Sequence, residues 1–132
     1  MRVLLDTHVV LWALSAPERL GSQRSRIEDP STARLFSAVV AWEVAIKVGL
    51  RRLDVPQPLS TWLARVRTEL AVEPCPVTAQ QAIRVAELPG HHHDPFDRLL
   101  VAQATELGVP LVTADAQLAA YDVEILRISG RS

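Results

Sequence analysis

The sequence predicts an α/β fold, in which a mostly parallel central sheet lies between two layers of helices in a three-layer α/β/α arrangement. Short apolar runs of strand length alternate along the chain with segments of helical periodicity. The 132 residues, 48% of them hydrophobic and with a net charge of −1, suit a single domain over residues 1–132 and exclude a disordered chain. No apolar run approaches the roughly 18 residues needed to cross a bilayer.

The N-terminal part of the chain predicts a buried strand followed by a helix. Residues 2–5 form an apolar run that ends at Asp6, a pattern typical of a short core strand. Thr7 is expected to cap a helix that continues through Leu14, because Pro17 interrupts the helical pattern soon afterwards. A second, polar and Arg-rich helix is expected over residues 17–28.

The middle of the chain predicts a second strand and two helices, followed by an edge strand. Residues 34–38 are expected to form the strand, and a helix is expected from Ala41 to near Gly49. Apolar residues recur at helical spacing over residues 58–70. Residues 71–77 contain two prolines, which restrict them to a short strand at an edge of the sheet.

The C-terminal part predicts further helices between strands. Thr78 and Gln81 form a capping box ahead of a helix to Leu88. Asp94 and Pro95 are expected to open a helix to Leu107, which Gly108 ends. The remaining expected elements are a core strand from Val109 to Ala114, a brief helix from Asp115, and a final strand over residues 123–128.

Four acidic residues stand where a parallel sheet places its ligand sites. Asp6 and Asp115 directly follow predicted strands, and Glu43 and Asp97 lie early in helices among apolar neighbours. Carboxylates about 5 Å apart repel by roughly 3 kcal/mol per pair at an effective dielectric constant near 20. Convergence would therefore raise their pKa values or require a divalent cation, and a site made of oxygen ligands favours Mg²⁺ or Mn²⁺.

Structural roles remain open for most of these residues. Asp6 and Asp115 are also suited to capping helices, and Asp97 to the third position of a capping box opened by Asp94. Glu43, between Trp42 and Val44, has no evident capping role. The three consecutive histidines 91–93 invite a zinc interpretation, but a polar loop is favoured over it, and a substrate contact is the other alternative. The lone Cys75 is expected to be a small buried hydrophobic residue.

Four segments together resemble the PIN-domain family, and within it the VapC-type toxins of bacterial toxin–antitoxin pairs. They are LLDTHVVLWAL from Leu4, SAVVAWEVAIKVGLRRL from Ser37, HHHDPFDRLLVAQA from His91 and LVTAD from Leu111. The resemblance implies a PIN-like fold and an endoribonuclease that hydrolyses RNA phosphodiester bonds with water activated by Mg²⁺ or Mn²⁺. It implies that Asp6, Glu43, Asp97 and Asp115 form the metal-binding catalytic site, with Thr113 and Asp94 in supporting roles.

The same resemblance implies a cytoplasmic homodimer that forms a larger assembly with a cognate VapB-type antitoxin. Leu11, Trp12 and Leu14 are candidates to receive an amphipathic helix of that partner. This chain departs from the family pattern at Val40, where relatives often have Ser, and at His93, where they commonly have Arg or Lys.

Candidate RNA contacts are the basic side chains near the expected site: Arg51, Arg52, His93 and Arg98. For Arg51 and Arg52, as for Arg65 and Arg67, a solvated helix face is an equally good interpretation. Two other functions remain open from the sequence: a PIN-like RNA-binding module that no longer cleaves, and a phosphatase of the haloacid-dehalogenase type. A phosphatase of that type requires a second Asp two positions after Asp6, where this chain has His8.

Overall fold

A computed structural model describes residues 1–128 of the protein, and five strands of that range form one parallel sheet in the order β3-β2-β1-β4-β5. The strands are β1 (Arg2–Leu5), β2 (Ala33–Ser37), β3 (Glu73–Cys75), β4 (Leu111–Thr113) and β5 (Ile125–Arg127). The predicted α/β fold with a mostly parallel sheet is therefore confirmed. The proline-containing strand β3 lies at an edge of the sheet, where Pro74 disrupts no ladder between two neighbours.

The α-helices in residues 1–128 are α1 (Thr7–Ser15), α2 (Arg24–Glu28), α3 (Ala38–Gly49), α4 (Leu59–Glu69), α5 (Ala79–Arg84) and α6 (Pro95–Leu107). Single 3₁₀ segments cover Pro17–Gln23, Val85–Glu87 and Ala116–Ala120. The capping box of Thr78 and Gln81 is present, and Gly108 ends α6 in the left-handed conformation, with φ 66°. Both features match the predicted helix boundaries.

Several boundaries differ from the sequence prediction for local reasons. Asp6, and not Thr7, caps α1, because its carboxyl oxygen accepts the Thr7 backbone N–H. The segment 17–28 is not one helix, since Gly21 breaks it with φ 58° and ψ −135°. Helix α3 begins at Ala38 because the Ser37 hydroxyl caps it, three residues earlier than predicted.

The connections place the helices on opposite faces of the sheet. Helix α1 packs against α3 and α4, and α5 packs against α6. Crossovers between parallel strands are right-handed. The chain steps from β1 to β2 to β3 towards one edge of the sheet and then crosses back past β1 to β4. The helices of the first two connections and those of the return connection therefore lie on different faces. The strand order reverses between β1 and β4, and ligands of such sheets bind in the crevice at this point, beyond the carboxyl ends of the strands.

The core is built from the two central strands and the helices that cover them. Val3, Leu4 and Leu5 of β1 are completely buried, as are Leu111 and Val112 of β4. Such continuous apolar runs are typical of parallel strands covered on both faces. Cys75 is buried in this core, as predicted. Within residues 1–128, no helix combines the length and the apolar character that spanning a membrane requires.

Candidate active site

An open cavity of about 360 Å³ lies beyond the carboxyl ends of β1 and β4. Its lining includes five acidic residues that come from four separate parts of the chain: Asp6, Glu43, Asp94, Asp97 and Asp115. Asp6 directly follows β1, and Asp115 follows β4 after one intervening residue, whereas the other three belong to the beginnings of α3 and α6. The structure therefore brings together all the acidic residues that the sequence singled out.

Asp6 is held at the bottom of the cavity by two hydrogen bonds. Its Oδ1 accepts the Thr7 N–H at 2.7 Å, and its Oδ2 accepts the Thr113 hydroxyl at 2.5 Å. Burial raises the pKa of Asp6, the two hydrogen bonds partly offset this, and the charge of Glu43 adds to the increase. Thr113 is completely buried, and its oxygen also accepts the Asp115 N–H at 3.1 Å. One hydroxyl thus links the two carboxyl residues that follow β1 and β4.

Glu43 is buried in the first turns of α3 and receives a donor on each oxygen. The Thr7 hydroxyl donates to Oε1 at 2.6 Å, and the Lys47 ammonium, one turn further along α3, donates to Oε2. Val40 lies one turn before Glu43 and is fully buried, so it presents no polar group to the cavity. Lys47 and Thr7 were not among the sequence-predicted site residues, although the i,i+4 spacing of Lys47 from Glu43 was visible in the sequence.

Asp97, at the start of α6, has a strongly raised pKa. Burial raises the pKa of Asp97 to about 8, and the surrounding carboxylates, Asp6 first among them, add to the increase. Asp94 caps α6, since its Oδ1 accepts the N–H groups of Phe96 and Asp97 at 2.8 and 3.1 Å. Within residues 1–128 the Asp97 carboxyl accepts no hydrogen bond in return, so it is not the third-position partner of a capping box. Its side chain is free for another ligand.

His92 lies beside Asp97 and Asp115, two residues of the cavity lining. Its Nδ1 accepts the Asp94 N–H at 3.0 Å, which places the ring proton on Nε2. Nε2 then donates to Oδ2 of Asp115 at 2.8 Å and lies 3.5 Å from Oδ2 of Asp97. The other Asp115 oxygen caps the 3₁₀ segment through the Gln117 N–H at 2.9 Å. The sequence offered no signal that distinguishes His92 from its two neighbouring histidines.

The zinc interpretation of the three histidines does not fit this geometry. A metal-binding histidine normally donates the proton of its second ring nitrogen to an acceptor, whereas Nδ1 of His92 accepts a hydrogen bond from the Asp94 backbone N–H. His91 turns its ring edge towards Tyr121, with ring centroids 5.2 Å apart, and His93 is exposed. His92 therefore acts as a hydrogen-bond donor to the acidic cluster.

The four candidate RNA contacts lie outside the lining of the acidic cavity. Arg51 and Arg52 are exposed at the end of α3, where they line a second open cavity of about 440 Å³. The Arg98 guanidinium turns inward and donates to backbone oxygens and to the Tyr121 hydroxyl. These hydrogen bonds hold the loop before α6, so the Arg98 guanidinium has no free pair of terminal N–H groups with which to bind a phosphate.

The donor set of the cavity fits a divalent cation. Asp6, Asp97 and Asp115 present carboxylate oxygens, and burial together with the neighbouring negative charges raises the pKa of Asp97 to about 8, which favours its protonated form. A cation of charge two would relieve this repulsion, and all-oxygen sites suit hard divalent ions. One oxygen of Asp97 and one of Asp115 lie within 4.8 Å of each other, close enough to share one ion.

Comparisons with known proteins agree with this fold. A PIN domain family model matches residues 3–124. Ribonuclease VapC22 of Mycobacterium tuberculosis is 31% identical to this chain over 121 residues, which cover 90% of this chain and 91% of that protein.

Two solved structures share the architecture. VapBC2 from Rickettsia felis bound to a DNA fragment from their promoter aligns with a TM-score of 0.72 at 13% identity, over 97% of this chain and 99% of that chain. VapBC-5 from Mycobacterium tuberculosis, described as a member of the VapBC family of toxin-antitoxin systems, aligns with a TM-score of 0.61 at 23% identity, over 96% and 98%. At these identities the structures show a shared fold, whereas the family model and the 31% identical relative show descent. The chain therefore belongs to the PIN-domain family, and to its VapC branch.

Proposed function

We propose that this protein is an endoribonuclease that depends on Mg²⁺ or Mn²⁺ and is the toxin of a VapBC-type toxin–antitoxin pair. The observation that carries the proposal is the convergence of Asp6, Glu43, Asp97 and Asp115 on one open cavity at the switch point of the sheet. The name of the 31% identical relative, Ribonuclease VapC22, supports RNA as the substrate. A PIN-like module that has stopped cleaving would have no need to keep this group of carboxylates.

The acidic residues have distinct roles in this proposal. Asp6, Asp97 and Asp115 hold the cation, and Glu43 binds it directly or through water. Asp94 caps α6 and brings Asp97 to the cavity, consistent with its two backbone hydrogen bonds. Thr113 orients Asp6 and Asp115 together, because its hydroxyl bonds to both residues.

Bound Mg²⁺ or Mn²⁺ supplies Lewis-acid chemistry, since it makes water a stronger nucleophile and offsets negative charge on the phosphoryl oxygens. The chain itself supplies carboxylates, and within residues 1–128 no Ser, Cys or Tyr lines the cavity to act as a nucleophile. Water is therefore the attacking group in this proposal. Cleavage should leave a 5′-phosphate and a 3′-hydroxyl.

The proposal is tested by comparing Asp6→Asn and Asp97→Asn with the wild-type protein on a fluorogenic RNA in the presence of Mg²⁺ or Mn²⁺. Asn caps helices about as well as Asp, so Asp6→Asn keeps α1 while it removes the charge. We expect each variant to lose more than the 10- to 100-fold in activity that loss of an outer metal partner typically costs. Asp122→Asn, an exposed acidic position outside the cavity, is the matched control and should cleave at the wild-type rate.

Three results would contradict the proposal. Undiminished cleavage by a clean preparation of Asp6→Asn would show that the acidic cavity is not the site of the reaction. Full activity in the presence of excess chelator would show that cleavage does not need a divalent cation. RNA binding without any cleavage by the wild-type protein would instead identify a binding module.

We propose further that the protein works in the cytoplasm as a homodimer and is inhibited by a VapB-type antitoxin, with which it forms a larger assembly. The solved structures of the same fold include the VapBC2 complex with promoter DNA. Leu11, Trp12 and Leu14 of α1 are only partly buried in the isolated chain, which leaves an apolar surface for an amphipathic helix.

A further inference from the structure

Lys47 is the basic residue of the acidic cavity that the proposed mechanism does not yet use. It is the only lysine in the sequence, all thirteen other Lys and Arg positions being Arg. Among the described residues that line the cavity, it is the only Lys or Arg. It lies on α3, one helical turn after Glu43, and its side chain is about one-third exposed, at 30%.

The ammonium group of Lys47 is only partly engaged. It donates to Oε2 of Glu43, while the other Glu43 oxygen is taken by the Thr7 hydroxyl. An ammonium group has three donors, and no other residue in 1–128 accepts a hydrogen bond from this one. Desolvation by partial burial lowers the pKa of Lys47, but the adjacent Glu43 and the charges of Asp94 and Asp97 outweigh this effect and raise it. The group is therefore a charged donor with free hydrogens at the mouth of the cavity.

Other ion pairs of the same spacing show what is particular to this one. Arg24 pairs with Glu28 and Arg65 with Glu69, also four residues apart, but both pairs are exposed on helix surfaces and line no part of the acidic cavity. Exposed pairs of this kind contribute little. In the Lys47 pair the carboxylate is 5% exposed and faces a cavity suited to a divalent cation. A cation that binds Oε2 of Glu43 competes with the Lys47 ammonium for that oxygen.

We propose that Lys47 is an exchangeable counter-ion that becomes a phosphate-binding group. In the metal-free protein its ammonium neutralises Glu43. When a divalent cation binds Glu43, the ammonium is released and donates to a non-bridging phosphate oxygen of the RNA. The phosphate-binding half of this inference rests on the proposed endoribonuclease function, whereas the counter-ion half concerns cation binding alone.

The physical reason is charge balance. A cavity lined by five acidic side chains repels RNA, and one divalent cation does not neutralise all of them. A lysine ammonium on a flexible four-carbon stem is a compact charge that changes partners without disturbing the helix backbone. Metal binding would thus prepare the cavity for the substrate by freeing a positive charge.

The test compares Lys47→Met with Arg24→Met as the matched control, which removes one positive charge from an ion pair of the same spacing outside the cavity. Calorimetric titration with Mn²⁺ should show about tenfold tighter binding to Lys47→Met, the effect of one unit charge on a divalent ion at about 6 Å with water-like screening. With RNA at saturating Mn²⁺, the same variant should lose about 10- to 100-fold in kcat/KM, as expected for loss of a charged hydrogen bond. Arg24→Met should change neither, and Lys47→Arg should recover most of the RNA effect.

These opposite effects separate the inference from a merely structural role. Weaker Mn²⁺ binding by Lys47→Met, or an unchanged kcat/KM beside an active wild-type enzyme, would overturn it. If the wild-type protein cleaves no RNA, the proposed function fails, while the Mn²⁺ titration still decides whether Lys47 competes with the cation.

A measurement on the unmodified chain keeps the test independent of the variants. Because Lys47 is the only lysine, protein labelled with [ε-¹³C]lysine gives a single side-chain NMR signal from this group. Titration with Mg²⁺ should shift that signal as the ammonium leaves Glu43. A signal that stays in place while Mg²⁺ binds would refute the exchange.

Discussion

In both Asp6 and Asp115, one carboxyl oxygen caps a helical segment and the other accepts a hydrogen bond from a neighbouring side chain. One oxygen of each residue accepts a backbone N–H at the start of a helical segment, Thr7 for Asp6 and Gln117 for Asp115. The second oxygen accepts from a side chain of the site, the Thr113 hydroxyl for Asp6 and Nε2 of His92 for Asp115. Capping and ligand binding are therefore compatible in one residue, because capping fixes the rotamer that presents the other oxygen.

Thr113 is the residue at which these two carboxyl groups are joined, and its replacement by Val should show this. Val keeps the volume but removes the hydroxyl that donates to Asp6 and accepts from the Asp115 N–H. We expect Mn²⁺ affinity to fall about 10- to 100-fold, as for other partners that orient metal ligands. The free energy of unfolding should fall by about 1–3 kcal/mol, because polar groups of Asp6 and Asp115 lose a buried partner. Calorimetry and urea denaturation measure the two effects.

Thr113→Ser is the control for this experiment, because it retains the hydroxyl and loses only a methyl group. It should keep most of the Mn²⁺ affinity. Wild-type affinity in Thr113→Val would show that Asp6 and Asp115 find their positions without the hydroxyl.

The loop before α6 is the least regular element around the site, and Arg98 holds it. The guanidinium donates to the carbonyl oxygens of Val85 and Pro89 at 2.9 Å and more weakly to those of Leu88 and His92. It also donates to the Tyr121 hydroxyl at 3.2 Å, and the same hydroxyl accepts the His92 N–H. A residue that the sequence suggested for RNA contact thus fixes the position of His92, and through it the orientation of Asp115.

Arg98→Lys should loosen this loop while it keeps the positive charge. Lysine lacks the planar fork that reaches several carbonyl groups at once. We expect a loss of about 1–3 kcal/mol in the free energy of unfolding. Amide hydrogen exchange over residues 85–92 should become faster than in the wild-type protein, and by a larger factor than in the core strands. Arg127→Lys, at an exposed position on β5, is the matched control. Unchanged exchange over residues 85–92 would show that the loop holds its shape without the guanidinium.

At the level of elements, the sequence was informative wherever a local rule decides the outcome. The Thr78–Gln81 capping box, the Asp94–Pro95 start of α6 and the Gly108 end were all predictable, because each depends on a few adjacent residues. The break at Gly21 was not, since a glycine is also tolerated within a helix. Nor could the sequence select His92 from three identical neighbours, because the choice depends on Tyr121 and Asp115, far along the chain.

At the level of the whole molecule, the parallel sheet brings the acidic side chains together at one edge. Each carboxyl residue is placed by its own strand end or helix start, so the convergence follows once the strand order is known. The sequence alone predicted the acidic positions and the edge of the sheet. The resemblance suggested a supporting role for Thr113, which donates to Asp6. The contacts of Thr7, Lys47 and His92 with the acidic residues were not predicted, since they require the packed structure.

This concentration of charge should make the stability of the metal-free protein depend on pH in an unusual direction. The pKa of Asp97 is raised from 3.8 to about 8, so between these values the folded chain binds a proton that the unfolded chain has released. The free energy of unfolding should therefore be highest near pH 4 and decrease as the pH rises towards 8, by at most about 1.4 kcal/mol per pH unit from this group. Burial shifts Asp6 in the same direction and strengthens the trend.

Urea denaturation between about pH 4 and pH 8 in the presence of chelator measures this dependence, with Asp97→Asn as the comparison. The variant cannot ionise at this position, so its stability should match that of the wild-type protein near pH 4 and exceed it near pH 8. Saturating Mg²⁺ should reverse the wild-type trend, because the cation binds the ionised carboxylates and stabilises the folded chain by mass action. Parallel pH profiles for the two proteins without metal would mean that Asp97 ionises normally, and that the repulsion between the carboxylates is relieved by the chain itself, through groups such as Lys47 and His92.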